Sequence, residues 1–248
     1  MNPVKLDTNF NYAFQGNFEE ININVDDSIK LNSLLFKSDM QPPKGIIFNL
    51  KGAGGNISNQ DEAATIYNEE GYDFYVMDFR GYGKSQGAYN NDLQMYNDGQ
   101  AAYDKLLERG YKEDDIIIIG VSLGTGVASY LAKNNSPGQL ILISPYYSMK
   151  DLARNLTLPN LKYLQYLPTD LLIRYNLDNA KHIKNIKAPV AIFHGTDDRL
   201  IYYGSSLKLK DCFKPKDTLI TIKGGIHNGF ESRPDVIEGI KEVINGLK

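Results

Sequence analysis

The stretch that decides the fold is residues 116–133, with the sequence IIIIGVSLGTGVASYLAK. The four isoleucines predict a short buried strand, and the run from Leu123 onward has the small and apolar residues of a helix packed on a sheet. Between them, residues 120–124 (GVSLG) match the pattern G-x-S-x-G. In that pattern the serine lies on a strained strand-to-helix turn, where side chains in place of the glycines would collide with neighbouring backbone. The stretch therefore predicts a nucleophile elbow with Ser122 at its tip.

Further apolar runs predict that this strand belongs to a mostly parallel sheet of eight strands. Short continuous runs of apolar and β-branched residues are typical of parallel strands covered on both faces. They are Gly45–Leu50, Asp73–Phe79, Ile116–Val121, Gln139–Ser144, Val190–His194 and Thr218–Ile222. Two earlier runs, Glu19–Val25 and Ile29–Lys37, alternate apolar and polar residues, which predicts an N-terminal antiparallel hairpin at the sheet edge.

Amphipathic stretches of helical length separate most of these strands. They are Asn59–Glu70, Asp92–Arg109, Leu123–Asn134, Tyr203–Cys212 and Pro234–Leu247. Strands that alternate with helices predict an α/β fold with helices on both faces of the sheet. In such folds, the chemistry gathers at the carboxyl ends of the strands.

One long segment, residues 146–187, interrupts the alternation. It is rich in Leu and Tyr and contains Pro159 and Pro168. An insertion of this length after a strand's carboxyl end predicts a small helical cap over a pocket, within a single domain that spans residues 1–248. The alternative is a peripheral pair of helices that does not contact a ligand.

Composition excludes several classes of function. The single cysteine, Cys212, and three histidines without metal-ligand spacing predict neither a metal site nor a disulfide, and no cofactor is indicated. A formal net charge of −3 argues against a general nucleic-acid binder. No apolar run approaches the roughly 20 residues of a membrane span, and no signal peptide is recognisable. We therefore expect a soluble, cytoplasmic protein, and the sequence does not indicate its oligomeric state.

A base for Ser122 is predicted at His227. A serine hydroxyl needs a neighbouring base to accept its proton. His227 follows the last predicted core strand in a glycine-rich loop, and histidine can be neutral near pH 7.

Two adjacent aspartates, Asp197 and Asp198, follow the strand Val190–His194 and compete to orient this histidine. Only one side chain can point towards it. We favour Asp198, and we expect Asp197 to be a turn residue.

Together these motifs resemble the α/β-hydrolases, in particular the serine-aminopeptidase-like group with its esterase-like and peptidase-like members. The resemblance covers almost the whole chain. It rests on Leu31–Lys37 (LNSLLFK), Lys51–Asn56 (KGAGGN), Asp78–Ser85 (DFRGYGKS), Gly120–Gly126 (GVSLGTG), Ser144–Tyr146 (SPY), His194–Asp198 (HGTDD) and Gly225–Asn228 (GIHN).

The resemblance implies an α/β-hydrolase fold and a catalytic triad of Ser122, His227 and Asp198. The acid of this group is usually the fourth residue after the histidine of H-G-x-x-D, which here is Asp198. It also implies an oxyanion hole formed by the backbone N–H groups of Ala53 and Leu123.

Lys51 departs from the family pattern, in which histidine commonly precedes the glycine. Its ammonium could add positive charge near the oxyanion, or it could point to solvent and remove a contact that orders the loop. We name Lys51 and Tyr146 as candidate substrate-binding residues.

A dinucleotide site is the competing interpretation of the loop Gly52–Ile57. The loop follows a strand, and Asp78 ends the next strand, as that fingerprint requires. The third glycine is absent because Ile57 occupies its position. We therefore prefer the hydrolase interpretation.

The sequence thus predicts a serine hydrolase that cleaves carboxylic esters or thioesters of short to medium acyl chain. Its partner would be a small ester or acyl substrate. Two alternatives remain, namely an aminopeptidase-like amide hydrolase and a catalytically silent binding module on the same fold.

Overall fold

The computed structural model describes residues 2–26, 28–155 and 175–246. Eight strands form its main sheet. They are β1 (Phe18–Asp26), β2 (Ile29–Phe36), β3 (Ile46–Leu50), β4 (Asp73–Met77), β5 (Ile116–Val121), β6 (Gln139–Ile143), β7 (Val190–Gly195) and β8 (Thr218–Ile222). Their spatial order is β8-β7-β6-β5-β3-β4-β2-β1. β2 pairs antiparallel with both β1 and β4, and all other neighbours are parallel.

Helices cover both faces of this sheet. They are α1 (Asp61–Glu69), α2 (Asp92–Glu108), α3 (Gly124–Asn134), α4 (Met149–Arg154), α5 (Asn179–Ile183), α6 (Gly204–Lys210) and α7 (Pro234–Asn245). α2 and α3 pack on one face and α1 and α7 on the other. The predicted α/β-hydrolase fold, with its N-terminal antiparallel hairpin, is confirmed.

The four isoleucines of β5 explain why this strand lies at the centre. Ile116 and Ile118 belong to the apolar layer under α2 and α3, whereas Ile117 and Ile119 belong to the layer under α1 and α7. Full burial of one such side chain stabilises the fold by about 1.5–3 kcal/mol. A continuous apolar run therefore suits a strand that is covered on both faces.

The predicted cap can be followed only at its two ends. α4 lies near its start and α5 near its end, while residues 156–174, which include most of its Leu and Tyr residues, lie outside the described ranges. Asn179 on α5 is fully buried, and its amide donates hydrogen bonds to Thr125 Oγ1 at 3.0 Å and to the carbonyl of Tyr146 at 2.8 Å. The end of the insertion is therefore fixed to α3.

Candidate active site

Ser122 lies at the tip of a tight turn between β5 and α3. Its φ angle of +50° is in the left-handed region, which costs a residue with a side chain roughly 1–2 kcal/mol. Added to Gly124, a Cβ atom would lie 2.0 Å from the carbonyl oxygen of Leu50. At Gly120 it would lie 2.6 Å from Cβ of Ala128. Both glycines of the motif are thus required by close packing.

Two backbone N–H groups lie near Ser122, that of Leu123, the next residue in the sequence, and that of Ala53, which lines the same cavity. Leu123 immediately precedes α3, and Ala53 lies in the loop that follows β3. Within the described ranges, no backbone hydrogen bond uses the N–H group of either residue. Gly52 brings this loop close, since an added Cβ would lie 3.5 Å from Cβ of Ser122. The role of the two N–H groups in binding an oxyanion stays a prediction.

The three residues predicted for the triad form one chain of hydrogen bonds. Nε2 of His227 lies 3.1 Å from Oγ of Ser122, and Nδ1 of His227 lies 2.7 Å from Oδ2 of Asp198. The three residues follow β5, β8 and β7, respectively, so they meet at the carboxyl edge of the sheet. The fold therefore brings together three residues that lie far apart in the sequence.

The carboxylate of Asp198 is buried and well supplied with donors. Its Oδ1 accepts the N–H groups of Leu200 at 2.9 Å and Ile201 at 2.8 Å. Burial alone would raise the pKa of Asp198, but hydrogen bonds from His194, His227 and the Ile201 N–H hold that pKa well below its ordinary value. The acid therefore stays ionised at neutral pH.

His194 lies against the carboxylate of Asp198 in the protein interior. It is fully buried, and its Nε2 lies 3.4 Å from Oδ2 of Asp198 and 2.9 Å from the carbonyl oxygen of Ile201. Its Nδ1 lies 2.6 Å from Oγ of Ser206. Asp197, in contrast, is exposed and accepts a hydrogen bond from Thr196 Oγ1 at 2.9 Å. The geometry thus favours Asp198 over Asp197 as the partner of His227.

Lys51 takes neither of the two positions expected from the sequence. Its ammonium is nearly buried and donates to the carbonyl oxygens of Gly54 at 3.0 Å and Gly55 at 3.4 Å. It lies 3.8 Å from Oδ1 of Asp78 and 4.4 Å from the centre of the Tyr82 ring. Lys51 therefore ties the loop to the protein interior. It also lines the cavity that contains Ser122, and its role in substrate binding stays a prediction.

Asp78 is a buried partner that sequence reasoning did not assign. Burial lowers the pKa of Lys51 to about 8, opposed by the charge of Asp78. Burial likewise raises the pKa of Asp78 to about 7, opposed by Lys51 and by the N–H of Ile57. An aspartate at the end of an apolar strand, facing a lysine at the end of the neighbouring strand, was the available signal.

This pair predicts a pH-dependent effect of the substitution Lys51→Met. The unfolded chain loses the Asp78 proton above its ordinary pKa of 3.8, whereas the folded protein keeps it up to about 7. The contribution of Asp78 to stability is therefore complete below about 4 and is lost as the pH rises through about 7. Without Lys51, the pKa of Asp78 rises further and the loss extends to higher pH. The depressed pKa of Lys51 makes wild-type stability rise above about pH 8, and this rise disappears in the variant.

We expect the unfolding free energy of Lys51→Met to keep falling between pH 7 and 9, by up to about 1.4 kcal/mol per pH unit. Urea unfolding at several pH values measures this slope. The double variant Lys51→Met/Asp78→Asn is the control and should lack the fall. Parallel pH profiles for wild type and Lys51→Met would contradict the account.

Tyr146 lies beneath the elbow and is not among the described residues that line the cavity of Ser122. It is 1% exposed, and its hydroxyl donates to the carbonyl oxygen of Leu123 at 3.3 Å. An added Cβ on Gly126 would lie 2.1 Å from this hydroxyl. The side chain of Tyr146 therefore packs under the start of α3 and supports the elbow, and its role in substrate binding stays a prediction.

The cavity that contains Ser122 and His227 has a volume of about 460 Å³. Polar groups of the β3 loop and of the loop after β8 form much of its described lining, including Asn56, Asn59, Gln60, Asn228 and Glu231. Its larger apolar side chains are Val121, Ile143 and Leu200. The apolar wall expected from residues 146–187 falls largely outside the described ranges, so it stays a prediction.

Comparisons with known proteins agree with this architecture. Residues 41–181 match the family described as serine aminopeptidase, S33. Human alpha/beta hydrolase domain-containing protein 17B is 30% identical over 173 residues, which cover 69% of this chain and 56% of the human protein. Among the helices of the described ranges, none is both long and apolar enough to cross a membrane.

Solved structures share the fold. The esterase PF2001 of Pyrococcus furiosus has a TM-score of 0.74 at 19% identity, covering 99% of this chain and 96% of that chain. Est1E of Butyrivibrio proteoclasticus, solved with ferulic acid bound, has a TM-score of 0.72 at 21% identity, covering 92% and 98%. At this low identity, the two structures establish a shared fold only.

Proposed function

The chain belongs to the serine aminopeptidase S33 family of the α/β-hydrolase superfamily, and from this membership we propose that it is a serine hydrolase acting on carboxylic esters or thioesters. The observation that carries the proposal is the chain of hydrogen bonds from Ser122 through His227 to Asp198, with distances of 3.1 and 2.7 Å. Catalytically silent proteins of this fold often lack a member of the triad, whereas this chain has all three side chains in this order.

Acylation begins when Oγ of Ser122 attacks the substrate carbonyl carbon and Nε2 of His227 accepts its proton. Asp198 holds the imidazole with Nδ1–H directed towards it and stabilises the imidazolium that forms. The tetrahedral intermediate then collapses, the bond to the leaving group breaks, and His227 returns the proton to the departing oxygen or sulfur. Water repeats the sequence on the acyl-enzyme and releases the acid.

The oxyanion of the intermediate is proposed to bind the N–H groups of Ala53 and Leu123. Losing one such donor commonly raises the barrier by about 3–4 kcal/mol. Because both donors belong to the backbone, the departure at Lys51 leaves them in place. The hydrogen bonds from Lys51 to Gly54 and Gly55 support the loop that presents Ala53.

We expect p-nitrophenyl esters of increasing acyl length to reveal the acyl preference. Each methylene buried against apolar lining contributes about 0.8 kcal/mol, or roughly fourfold in kcat/KM. kcat/KM should rise from acetyl to butyryl or hexanoyl and fall for longer chains, with residues 146–187 acting as the proposed cap. Ser122→Ala, assayed in parallel, should be inactive with every ester. Wild-type protein that is folded and hydrolyses none of them would contradict an esterase function.

One observation favours a second candidate, an aminopeptidase-like amide hydrolase. The exposed carboxylate of Glu231 lines the cavity and could bind a free substrate amine. Leucine p-nitroanilide and its N-acetylated counterpart distinguish the two functions. Turnover of the free amine only, together with inactivity towards esters, would favour the aminopeptidase.

A further inference from the structure

A second serine lies beside Ser122 in the same unusual conformation. Ser144 follows β6 directly, with φ of +48°, against +50° for Ser122. The two strands pair with Val121 opposite Ile143, and the Ser122 N–H donates to the carbonyl oxygen of Ile143 at 2.9 Å. Since adjacent strands lie about 4.8 Å apart, the two serines are immediate neighbours.

The hydroxyl of Ser144 has no hydrogen-bond partner in the part of the chain that the structure describes. The residue is 2% exposed, and among the described residues no group forms a hydrogen bond with its Oγ atom. Ser144 nevertheless lines the cavity that contains Ser122 and His227. Both an unsatisfied buried hydroxyl and a left-handed φ disfavour the folded state. Such features concentrate at functional sites, where a ligand supplies the missing partner.

The sheet order places Ser144 on a definite side of the reacting carbon. β5 lies between β3 and β6, so the Ala53 loop is on one side of Ser122 and Ser144 is on the other. β7 and β8, which carry Asp198 and His227 at their ends, lie beyond β6 on that second side. The proton from His227 therefore reaches the leaving group on the side where Ser144 lies.

We propose that the Ser144 hydroxyl binds the leaving-group oxygen during acylation and the attacking water during deacylation. This role rests on the proposed hydrolase function. As the carbon–oxygen bond breaks, Ser144 donates a hydrogen bond to the oxygen that gains charge, and His227 transfers its proton to the same oxygen. In deacylation, the attacking water transfers one proton to His227. Its second O–H group donates a hydrogen bond to the oxygen of Ser144, since a hydroxyl can accept as well as donate. Ser144 itself forms no covalent bond and ends each cycle unchanged.

A hydrogen bond to the leaving-group oxygen increases kcat/KM most when the leaving group is a poor one. We expect Ser144→Ala to lower kcat/KM for ethyl acetate by about 10- to 100-fold, the size of a hydrogen bond to a charged atom. For p-nitrophenyl acetate, whose leaving group is stable as an anion, the loss should stay below about threefold. Phenyl acetate should fall between them. The measurement is kcat/KM for these three acetates, with the acyl group held constant.

The matched control is Ser205→Ala on α6. Ser205 is also fully buried, and its hydroxyl has no hydrogen-bond partner among the described residues, but it is not among the residues lining the cavity. Its removal should leave kcat/KM unchanged for all three acetates. Ser144→Gly is the second variant, since glycine accepts the left-handed conformation and also lacks the hydroxyl. It should reproduce the leaving-group dependence of Ser144→Ala.

The melting temperature separates this role from a structural one. Since Ser144 makes no hydrogen bond to the described residues, Ser144→Ala should melt no lower than wild type. Equal losses for all three acetates, no loss for any, or a loss that follows a lowered melting temperature in both Ser144 variants would overturn the proposal. Failure of the hydrolase function is distinct, because wild-type protein would then hydrolyse none of the acetates. In that case the assigned role of Ser144 is overturned with it.

Discussion

Replacing Asp198 with asparagine is expected to lower kcat by about 10³- to 10⁴-fold. Oδ1 of Asp198 accepts two backbone N–H groups, from Leu200 and Ile201, so an asparagine would keep its oxygen there. Its amide nitrogen would then face Nδ1 of His227, 2.7 Å from the present Oδ2. The imidazole would then carry its proton on Nε2, and a protonated Nε2 cannot accept the proton of Ser122. The measurement is kcat on p-nitrophenyl acetate.

The matched control is Asp197→Asn in the adjacent position. Asp197 is exposed and contacts Thr196 rather than His227, so its loss should change kcat less than about threefold. If Asp197→Asn were the more damaging substitution, the assignment of the acid would be reversed. Circular dichroism of both variants shows whether either loss of activity reflects unfolding.

The largest expected effect on stability is that of Gly124→Ala. The added methyl group would lie 2.0 Å from the carbonyl oxygen of Leu50 and 2.7 Å from that of Lys51. Both contacts are with backbone, which cannot turn aside as a flexible side chain could. Overpacking commonly costs about 1–3 kcal/mol, and we expect a cost near the upper end because both contacts are with backbone. For a protein of this size, the melting temperature should fall by roughly 6–12 °C.

Gly54→Ala is the matched control for this substitution. Gly54 has no heavy atom within 4 Å of an added Cβ, and its φ is not in the left-handed region. Its melting temperature should stay close to that of wild type, as is usual for surface changes. Similar melting temperatures for wild type and Gly124→Ala would show that the close approach of the elbow to β3 is wrong.

The parts of the fold predictable from sequence are those fixed by local pattern. The isoleucines of β5 indicate a strand buried on both faces, and the glycines at 120 and 124 indicate a turn without room for side chains. Strand and helix ends differ from the prediction by one or two residues, since the last turn of an element depends on local hydrogen bonding. Thr218–Ile222 and Ile116–Val121 have the predicted bounds.

The residues of the candidate site were predictable where a sequence motif fixes their position on the backbone. They were less predictable where the contacts of a residue depend on the direction of its side chain. Ser122, Asp198 and His227 meet because each follows the carboxyl end of a strand. Tyr146 also follows a strand, yet its ring turns inward under α3, a direction that no sequence pattern specifies. Lys51 likewise finds its partner in Asp78, on a strand that is adjacent only in the folded sheet.

Ser144 is a further residue whose role the sequence does not indicate. Its sequence context, Ser-Pro-Tyr after an apolar strand, does not distinguish a turn residue from one that faces a ligand. Its left-handed φ, and the lack of a hydrogen-bond partner for its hydroxyl among the described residues, can be recognised only in the folded structure.

Labelling with a fluorophosphonate, read by intact mass and peptide mapping, tests the central claim most directly. Such reagents phosphonylate a serine only when a neighbouring base activates it. The account predicts one adduct per wild-type chain, located on Ser122, with none on Ser122→Ala and much slower labelling of His227→Ala. Folded wild-type protein that takes up no label, or an adduct that persists at another residue in Ser122→Ala, would contradict it.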